Sequence, residues 1–465
     1  MHGQSITSRS AMRTSGTALA VIAFAGLGGI LYGFDIGVIS GALVLMQDNL
    51  SISANDASLI VAAVLGGGAL ATLFSGPFAD RFGRRFSINV SAVIFIIGTV
   101  ILLLASNFHM VMAGRLVQGI GIGIITIVVP LYMTETIPAH LRGRGVALFQ
   151  LCLTFGILLG YLVNYGLKSS GSWQLMFATV LVPSIIFLLG GLFVLPRSPR
   201  WLYQHGRVDE ARKVLAKTQG DIDADTALAQ MKVIIEEETQ QTGGSWGLLL
   251  RSGYRKAFFI ALAVGILNQL TGVNVLLQFN APILKASGLM NTAVLGSVGV
   301  GLVNFLITFL ATSLVDKLGR RPLLIVGTAG VTIALLFIGC IHAFFPPSVF
   351  AGYATLAGFI TFIVFYAVGP GVVVWLAVSE ILPMAIRAKG MAIALFANSL
   401  TSAGLAAVFM YMVGKIGYSG MFFLLAFFVF LYLLVAIFPL PETKGRSLEE
   451  IEEGFFAKAK AQHTG

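Results

Sequence analysis

Two ionisable side chains, Asp35 and Arg115, interrupt the long apolar runs of this sequence. A charged group at the middle of a membrane helix costs about 2.5–3.5 kcal/mol, so such a residue is a candidate for function. Asp35 lies past the middle of the first run and Arg115 near the start of the fourth. A neighbouring guanidinium favours the carboxylate, whereas burial favours the protonated acid. The pair is therefore predicted to couple protons to a conformational change, and the alternative is a static ion pair between two helices.

A second set of residues places carboxamides in apolar segments, where an unsatisfied amide is costly. Amides both donate and accept hydrogen bonds, which suits the hydroxyl groups of a sugar ring. Thr271-Gly272 predicts a helix break beside two of them, and Trp375, after Gly369-Pro370-Gly371, is placed to stack on a sugar. The alternative is hydrogen bonding between helices. With Trp375, the predicted substrate-binding residues are Gln150, Asn268, Gln269, Asn274, Asn304 and Asn398.

Charged loop residues recur in the same order in the two parts of the chain. Asp80-Arg81-Phe82-Gly83-Arg84-Arg85 matches Asp316-Lys317-Leu318-Gly319-Arg320-Arg321, and Pro196-Arg197-Ser198 matches Pro441-Glu442-Thr443. Ordered repeats of this kind indicate a duplicated unit. A network of ion pairs can bias a two-state equilibrium, here toward a state open to the outside. The alternative is a role in solubility and orientation; the predicted network comprises Asp80, Arg84, Arg85, Glu135, Arg142, Asp316, Arg320, Arg321, Glu380 and Arg387.

The elements that position these residues must be membrane helices. Of 465 residues, 57% are hydrophobic and only 11% are charged, against roughly 25% charged in soluble domains. A mean hydropathy of +0.90 cannot be hidden in a soluble interior, because surface grows with size and must be covered. Disordered, coiled-coil and disulfide-scaffold classes are excluded by the same figures. The composition predicts a polytopic membrane protein in a lipid bilayer.

Crossing about 30 Å of hydrocarbon takes about 20 apolar residues. Twelve such stretches are predicted, which places both termini on one side; they lie at about 17–45, 57–78, 87–106, 109–132, 145–168, 174–196, 255–284, 291–315, 322–345, 350–379, 389–414 and 418–440.

The basic residues predict the orientation of these spans. Of the 30 lysines and arginines, Arg115 lies within a span and Lys168, Lys285 and Lys415 lie in the loops away from the termini, which leaves 26 on the side of the termini. The positive-inside rule makes that side cytoplasmic, in the cell membrane. The net charge of +10 therefore reports orientation and does not indicate nucleic-acid binding.

The predicted fold is all-α, with two pseudo-symmetric six-helix halves. The predicted units are residues 1–199 for the first half, 200–253 for a cytoplasmic helical linker, 254–440 for the second half and 441–465 for a cytoplasmic tail. Parallel repeats about an axis along the membrane normal are typical of transporters that work by rocking.

With these motifs in place, the chain resembles a sugar porter of the major facilitator superfamily over about residues 20–452. The resemblance is to the bacterial symporters of protons with xylose, galactose or arabinose and to the animal glucose facilitators. Besides the charged loops, it is carried by Gly114-Arg115, Pro130…Tyr132…Glu135, Pro196-Arg197-Ser198-Pro199-Arg200-Trp201, Gln269…Gly272…Asn274 and Pro441-Glu442-Thr443-Lys444-Gly445. Symporters of this family carry an acid at the position of Asp35, whereas facilitators tend to carry a neutral residue there.

The sequence departs from the family at several positions. Asn268-Gln269 stands in place of the usual Gln-Gln, Gln278 lies where paired tyrosines are usual, Ser399 lies where a tryptophan often follows the amide, and Arg197 replaces an acid. These changes alter the cavity wall and the outer gate.

The expected function is proton-coupled symport of a monosaccharide, a hexose or a pentose, by a protein that works as a monomer. The alternatives are an uncoupled facilitator and a sugar sensor that does not transport. No phosphate loop, catalytic triad or metal-ligand spacing is present in the sequence. We therefore expect no enzyme activity, no metal and no cofactor beyond protons as the coupling ion.

Overall fold

The computed structural model of the protein describes residues 15–219, 221–241, 246–251, 253–290, 292–444 and 450. Within these residues the regular structure is helical, and eleven segments are long and apolar enough to cross a membrane. The last of them, Arg387–Ile437, is interrupted at Gly417, whose φ of 70° and ψ of 171° are not helical. Counted on both sides of this break, the spans number twelve, as predicted. The chain is a multi-pass membrane protein.

The first six spans consist of seven helices, because a turn at 179–180 divides the sixth span. A side chain caps the start of several of them: Ser53 forms a capping box with Asp56, and Asn107 and Ser172 each accept from a backbone N–H. The helices are α1 (Gly16–Leu50), α2 (Ala54–Phe82), α3 (Arg84–Leu103), α4 (Phe108–Thr136), α5 (Ala139–Leu167), α6 (Trp173–Ala178) and α7 (Leu181–Phe193).

The polar stretch after the sixth span forms the linker helices α8 (Pro199–Gln204), α9 (Val208–Gln219) and α10 (Asp221–Gln241). Arg212 and Asp225 join α9 to α10 through a bidentate ion pair. The remaining spans are built from α11 (Tyr254–Leu270), α12 (Val273–Gln278), α13 (Asn280–Ala286), α14 (Ala293–Leu318), α15 (Arg320–Phe344), α16 (Val349–Val368), α17 (Pro370–Ile381) and α18 (Arg387–Ile437).

Two spans of the second half are discontinuous, as the sequence predicts. Helix α11 ends at Leu270 and α12 starts after Gly272, whose φ of 81° is a conformation that glycine adopts without strain. Helix α16 gives way to α17 at Gly369-Pro370, where the proline lacks the N–H that a continuous helix needs. The break at Gly272 lies between Gln269 and Asn274 and so places two side-chain amides beside it, where a ligand site can form.

Helices α1 and α5 pack closely along a seam of glycines. Gly29, Gly33 and Gly37 recur every fourth residue on α1 and therefore share one face of the helix. A Cβ atom added to any of them would overlap a backbone carbonyl oxygen of α5. The close approach replaces side-chain packing with backbone contact, which is the usual way small residues join membrane helices.

The two ends of the bundle differ in how the halves meet. We call the end that carries α8–α10 the linker face and the other end the opposite face. One apolar cluster runs through the first half and continues into the second half near the opposite face, whereas a separate cluster fills the second half near the linker face. Near the opposite face, Tyr161 donates to the Leu277 carbonyl at 2.7 Å and the Ala281 N–H donates to Ser40 at 3.0 Å. The halves are thus joined near the opposite face.

We predict that Gly33→Ala destabilises the protein. The added methyl group would overlap the carbonyl oxygen of Leu153, which is backbone and cannot rotate away, and such overpacking costs about 1–3 kcal/mol. Thermal unfolding of the purified protein should show a lower midpoint. Gly299→Ala on α14 is the matched control, because nothing lies within 4 Å of its added Cβ. An equal effect of the two variants would contradict a steric role for the seam.

Candidate functional site

The two intramembrane charges meet, as predicted from their positions in the spans. Asp35 on α1 and Arg115 on α4 are 1% and 0% exposed, and their Oδ1 and Nη1 atoms lie 2.6 Å apart. The same Nη1 donates to Gln118 Oε1 at 3.0 Å, and Gln118 donates to Thr99 at 2.8 Å. The guanidinium also lies over the ring of Phe177, 5.6 Å from its centre. The buried acid is thus held by a chain of polar groups on three helices.

Asp35 also lines a cavity between the halves, which we call the central cavity. Its wall combines α1, α2 and α4 of the first half with α11, α12 and α18 of the second. The lining residues are Tyr32, Asp35, Ile36, Val64, Leu65, Gly68, Thr72, Ile122, Gly123, Thr126, Gln269, Asn274, Gln278, Asn398, Ser399 and Ser402. The acid and three of the predicted amides therefore face one space.

The amides at the helix break hold one another in place. Asn274 Nδ2 donates to Gln269 Oε1 and to Ser402 Oγ, both at 3.0 Å. These bonds link α11, α12 and α18 across the break at Gly272. Asn398, on the same wall, is 8% exposed, and its Oδ1 has no hydrogen-bond partner within the described part of the chain. This wall therefore combines amides that are bonded to each other with one carbonyl oxygen to which a ligand can donate a hydrogen bond.

Four of the predicted binding residues do not line the central cavity in this conformation. Asn268 is buried and contacts the hydroxyl of Tyr366. Asn304 is 5% exposed on α14, and Gln150 is half-buried on α5. Trp375 packs with the apolar cluster of the second half near the linker face. Three of the seven predicted binding residues therefore line the central cavity in this conformation.

Other lining residues were not predicted as site residues. Gln278 is fully buried on α12, and Tyr32, Thr126 and Ser402 contribute hydroxyl groups. The hydroxyl groups lack a distinctive signal, because serine and threonine in membrane helices commonly bond their own backbone. Gln278 did carry a signal, since it departs from the family pattern and places an amide in an apolar run.

The first copy of the charged network lies at the linker face. Arg84 at the start of α3 is 3% exposed and pairs with Glu135 at the end of α4 at 2.9 Å and with Asp80 at 2.8 Å. Ser198 donates to the second oxygen of Glu135 at 2.6 Å. Arg85 donates to the carbonyl groups of Gly191 and Leu192 at the end of α7. These bonds satisfy orphan carbonyls and tie α2, α3, α4 and α7 together.

The second half repeats the contacts of the arginines, the glutamate and the hydroxyl group. Arg320 pairs with Glu380 at 3.2 Å, and Thr443 donates to Glu380 at 2.6 Å. Arg321 donates to the carbonyl groups of Ala436 and Ile437 near the end of α18. The repeated geometry explains the repeated sequence, because each copy ties together the helix ends of its own half.

The remaining predicted members of the network are Arg142, Arg387 and Asp316. Arg142 is exposed and lines a surface cavity with Glu135, Arg200 and residues of α9 and α10. Arg387 donates to the Leu382 carbonyl. The side chain of Asp316 lies outside the described part of the structure.

The two copies carry opposite charges at one position. Glu442 follows α18 and accepts hydrogen bonds from the backbone N–H groups of Arg320, Arg321, Thr443 and Lys444 at 2.9–3.1 Å. Arg197 occupies the matching place in the first half and is exposed. Although burial acts to raise it, the pKa of Glu442 lies below its usual value because these N–H groups favour the carboxylate.

The sequence matches the sugar (and other) transporter family over residues 21–455. The chain belongs to this family of the major facilitator superfamily. This sugar transporter is 34% identical over 429 residues to the glucose transporter GlcP of Staphylococcus epidermidis, covering 92% of this chain and 94% of the relative. It is 31% identical to the galactose-proton symporter of Escherichia coli, with 95% of each chain covered.

The fold agrees with a solved relative. The sugar transporter superimposes on the inward open conformation of the xylose transporter XylE from E. coli with a TM-score of 0.80 and 29% identity. The match covers 94% of this chain and 99% of that structure. The resemblance drawn from the motifs, and the all-α fold it implies, are confirmed.

We predict that Glu442→Gln lowers stability in a pH-dependent way. Because the folded pKa lies below the ordinary value of 4.5, the stabilisation is fully present above about pH 4.5 and is lost as pH falls through the folded pKa. Thermal unfolding midpoints of the two proteins should therefore differ at pH 7 and converge in acid. Glu236→Gln, at an exposed position on α10, is the control. A difference that persists in acid would contradict the prediction.

Proposed function

We propose that the protein is a secondary active transporter that carries a monosaccharide, a hexose or a pentose, together with protons by alternating access. The observation that carries the proposal is the position of Asp35, which pairs with buried Arg115 and also lines the cavity that holds Gln269, Asn274 and Asn398. A proton on Asp35 would weaken its bond to Arg115 and change the charge of the cavity wall. Sugar binding and proton binding can then influence each other through one space.

Relatives support the coupling. The galactose-proton symporter and the arabinose-proton symporter of E. coli align over 95% and 99% of this chain. The alternative within the class is an uncoupled facilitator, in which Asp35 and Arg115 form a static pair. A sensor that does not transport could bind sugar in the same cavity but would need no coupling acid.

The proposed architecture has two rigid halves, residues 1–199 and 254–440, that rock about the central cavity in the cell membrane, with 200–253 as linker and 441–465 as tail. We place the linker face and both termini in the cytoplasm, because the basic loops lie there. In this conformation the halves join at the opposite face, which corresponds to a state closed to the outside.

The charged network is proposed to control closure of the linker face. The described Arg84–Glu135 and Arg320–Glu380 pairs each lie within one half, so they set the shape of the helix ends that meet when the face closes. Arg142, exposed beside this network, is available to the other half in that state. Pairs formed there would stabilise the outward-open conformation.

We predict that Asp35→Asn abolishes uphill sugar accumulation but retains exchange down a gradient. Asparagine still accepts a hydrogen bond from Arg115 but cannot carry a proton. Protein reconstituted in vesicles would be given hexoses, pentoses and inositol while internal pH and sugar uptake are recorded. Asp48→Asn, an exposed acid on the same helix, is the matched control and should accumulate sugar like the unaltered protein.

Each result of this assay has a distinct meaning. Sugar-dependent proton movement that is lost only in Asp35→Asn supports symport. Uphill accumulation by Asp35→Asn would remove Asp35 from coupling, and sugar flux without proton movement in the unaltered protein would make it a facilitator. No flux of any sugar would overturn the proposed substrate class.

We predict that Gln269→Ala weakens sugar binding about tenfold. Loss of one hydrogen bond to substrate costs about 0.5–1.5 kcal/mol, and tenfold in Kd corresponds to about 1.4 kcal/mol. Asn274 also loses a partner, so its amide is held less firmly. Isothermal titration calorimetry would measure the Kd. Gln47→Ala removes an amide that lines a different cavity and is the control; unchanged affinity in Gln269→Ala would exclude Gln269 from the site.

A further inference from the structure

Gln278 is the most unusual polar group in the wall of the central cavity. It is the last residue of α12 and is 0% exposed. Neither its Oε1 nor its Nε2 has a hydrogen-bond partner among the residues that the structure describes. An amide between membrane helices is normally bonded, because an unmet donor and acceptor are costly in a medium without water. Gln278 therefore does not act as a bond between helices in this conformation.

The neighbours of Gln278 are fixed, so its side chain is presented from a rigid position. The Leu277 carbonyl accepts from Tyr161, and the Ala281 N–H donates to Ser40, which ties this segment to both α5 and α1. Phe279 stacks on Phe409 with ring centres 5.4 Å apart. The backbone on both sides of Gln278 is thus held against the first half and against α18.

Asn274 and Gln278 lie four residues apart on α12 and therefore share one face of that helix. Both line the central cavity, but they differ in their bonds. The Nδ2 group of Asn274 donates to Gln269 and Ser402, whereas neither polar atom of Gln278 has a hydrogen-bond partner among the described residues. The carboxamide offers one acceptor and one donor side by side. Two hydroxyl groups on adjacent carbons match this pair, since one can donate to Oε1 while the other accepts from Nε2.

We propose that Gln278 binds the transported sugar through two hydroxyl groups on adjacent ring carbons and selects substrates that carry this pair. The inference rests on the proposed function, because it assigns a specificity role within the same cavity. Under this proposal, the glutamine that replaces the tyrosines usual in the family at this position changes which sugars bind. An apolar ligand, or a sugar lacking one of the two hydroxyl groups, would leave part of the buried amide unpaired.

The test compares a series of monodeoxy analogues of the sugar that binds most tightly among hexoses, pentoses and inositol. Calorimetric titrations would be made on the full-length protein in lipid nanodiscs and on Gln278→Met, which keeps the length of the side chain but has no amide. For the unaltered protein, loss of either of two adjacent hydroxyl groups should raise Kd about tenfold. For Gln278→Met, the parent sugar should bind about tenfold more weakly, and those two analogues should bind no more weakly than the parent.

Asn280→Ala is the matched control. Asn280 is a buried amide in the adjoining helix α13 that accepts from Ser297 at 2.8 Å and is not among the residues lining the cavity. A structural disturbance should shift all analogues alike and leave the pattern of penalties as in the unaltered protein. Should Gln278→Met not yield folded protein, Gln278→Leu and Gln278→Ser provide the same comparison with smaller side chains.

The outcomes separate this proposal from the proposed function. If sugars bind but the penalty for each missing hydroxyl group is the same with and without Gln278, the role of Gln278 is wrong while monosaccharide transport stands. A parent affinity that Gln278→Met leaves unchanged has the same meaning. If no sugar binds the unaltered protein, both proposals are overturned.

Discussion

The ion pair of Asp35 and Arg115 is the interaction on which the rest of the structure depends. Two opposite charges buried between helices stabilise the fold only when each is well paired, because neither can regain its water. Arg115 pairs through its Nη1 atom with Asp35 and Gln118 and lies over the face of Phe177, whereas its buried Nε and Nη2 atoms have no hydrogen-bond partner among the described residues. The arrangement commits α1, α3, α4 and α6 to fixed positions. Asp35 also lines the central cavity. The same carboxylate therefore pairs with Arg115 and forms part of the cavity wall.

At the linker face, too, buried and partly buried charges are paired, and each half has its own set of pairs. Arg84 with Glu135 and Arg320 with Glu380 bridge helix ends that would otherwise expose unpaired backbone groups. The copies are not identical: Glu442 accepts from the start of α15, whereas Arg197 occupies the matching position beside α3. In the second half, Glu442 therefore anchors the chain that follows the last span to the start of α15. Arg197 has no carboxylate and cannot accept from the start of α3 in the same way.

Much of this could be predicted from the sequence, since the information is local. Glycine and proline mark the helix breaks at Gly272 and Gly369, and repeated motifs identify the paired charges. The residues lining the cavity were harder to predict, because one residue turns a helix by about 100° and the rotation of each span is set by its neighbours. Gln269, Asn274 and Asn398 line the cavity in this conformation, whereas Gln150, Asn268, Asn304 and Trp375 do not. No periodicity distinguishes these cases when every face of a span is apolar.

The seam between α1 and α5 has a consequence at the level of the gene. All four glycine codons begin with two guanines, and every single-base change that alters the amino acid introduces at least a Cβ atom. At Gly29, Gly33 and Gly37 such an atom meets backbone and not a movable side chain. Changes of the amino acid at these codons are therefore not neutral, while the lipid-facing positions of the same helices remain free to vary. Natural sequence variation along α1 should therefore be low at every fourth position, where the helix packs on α5, and higher at the positions between them.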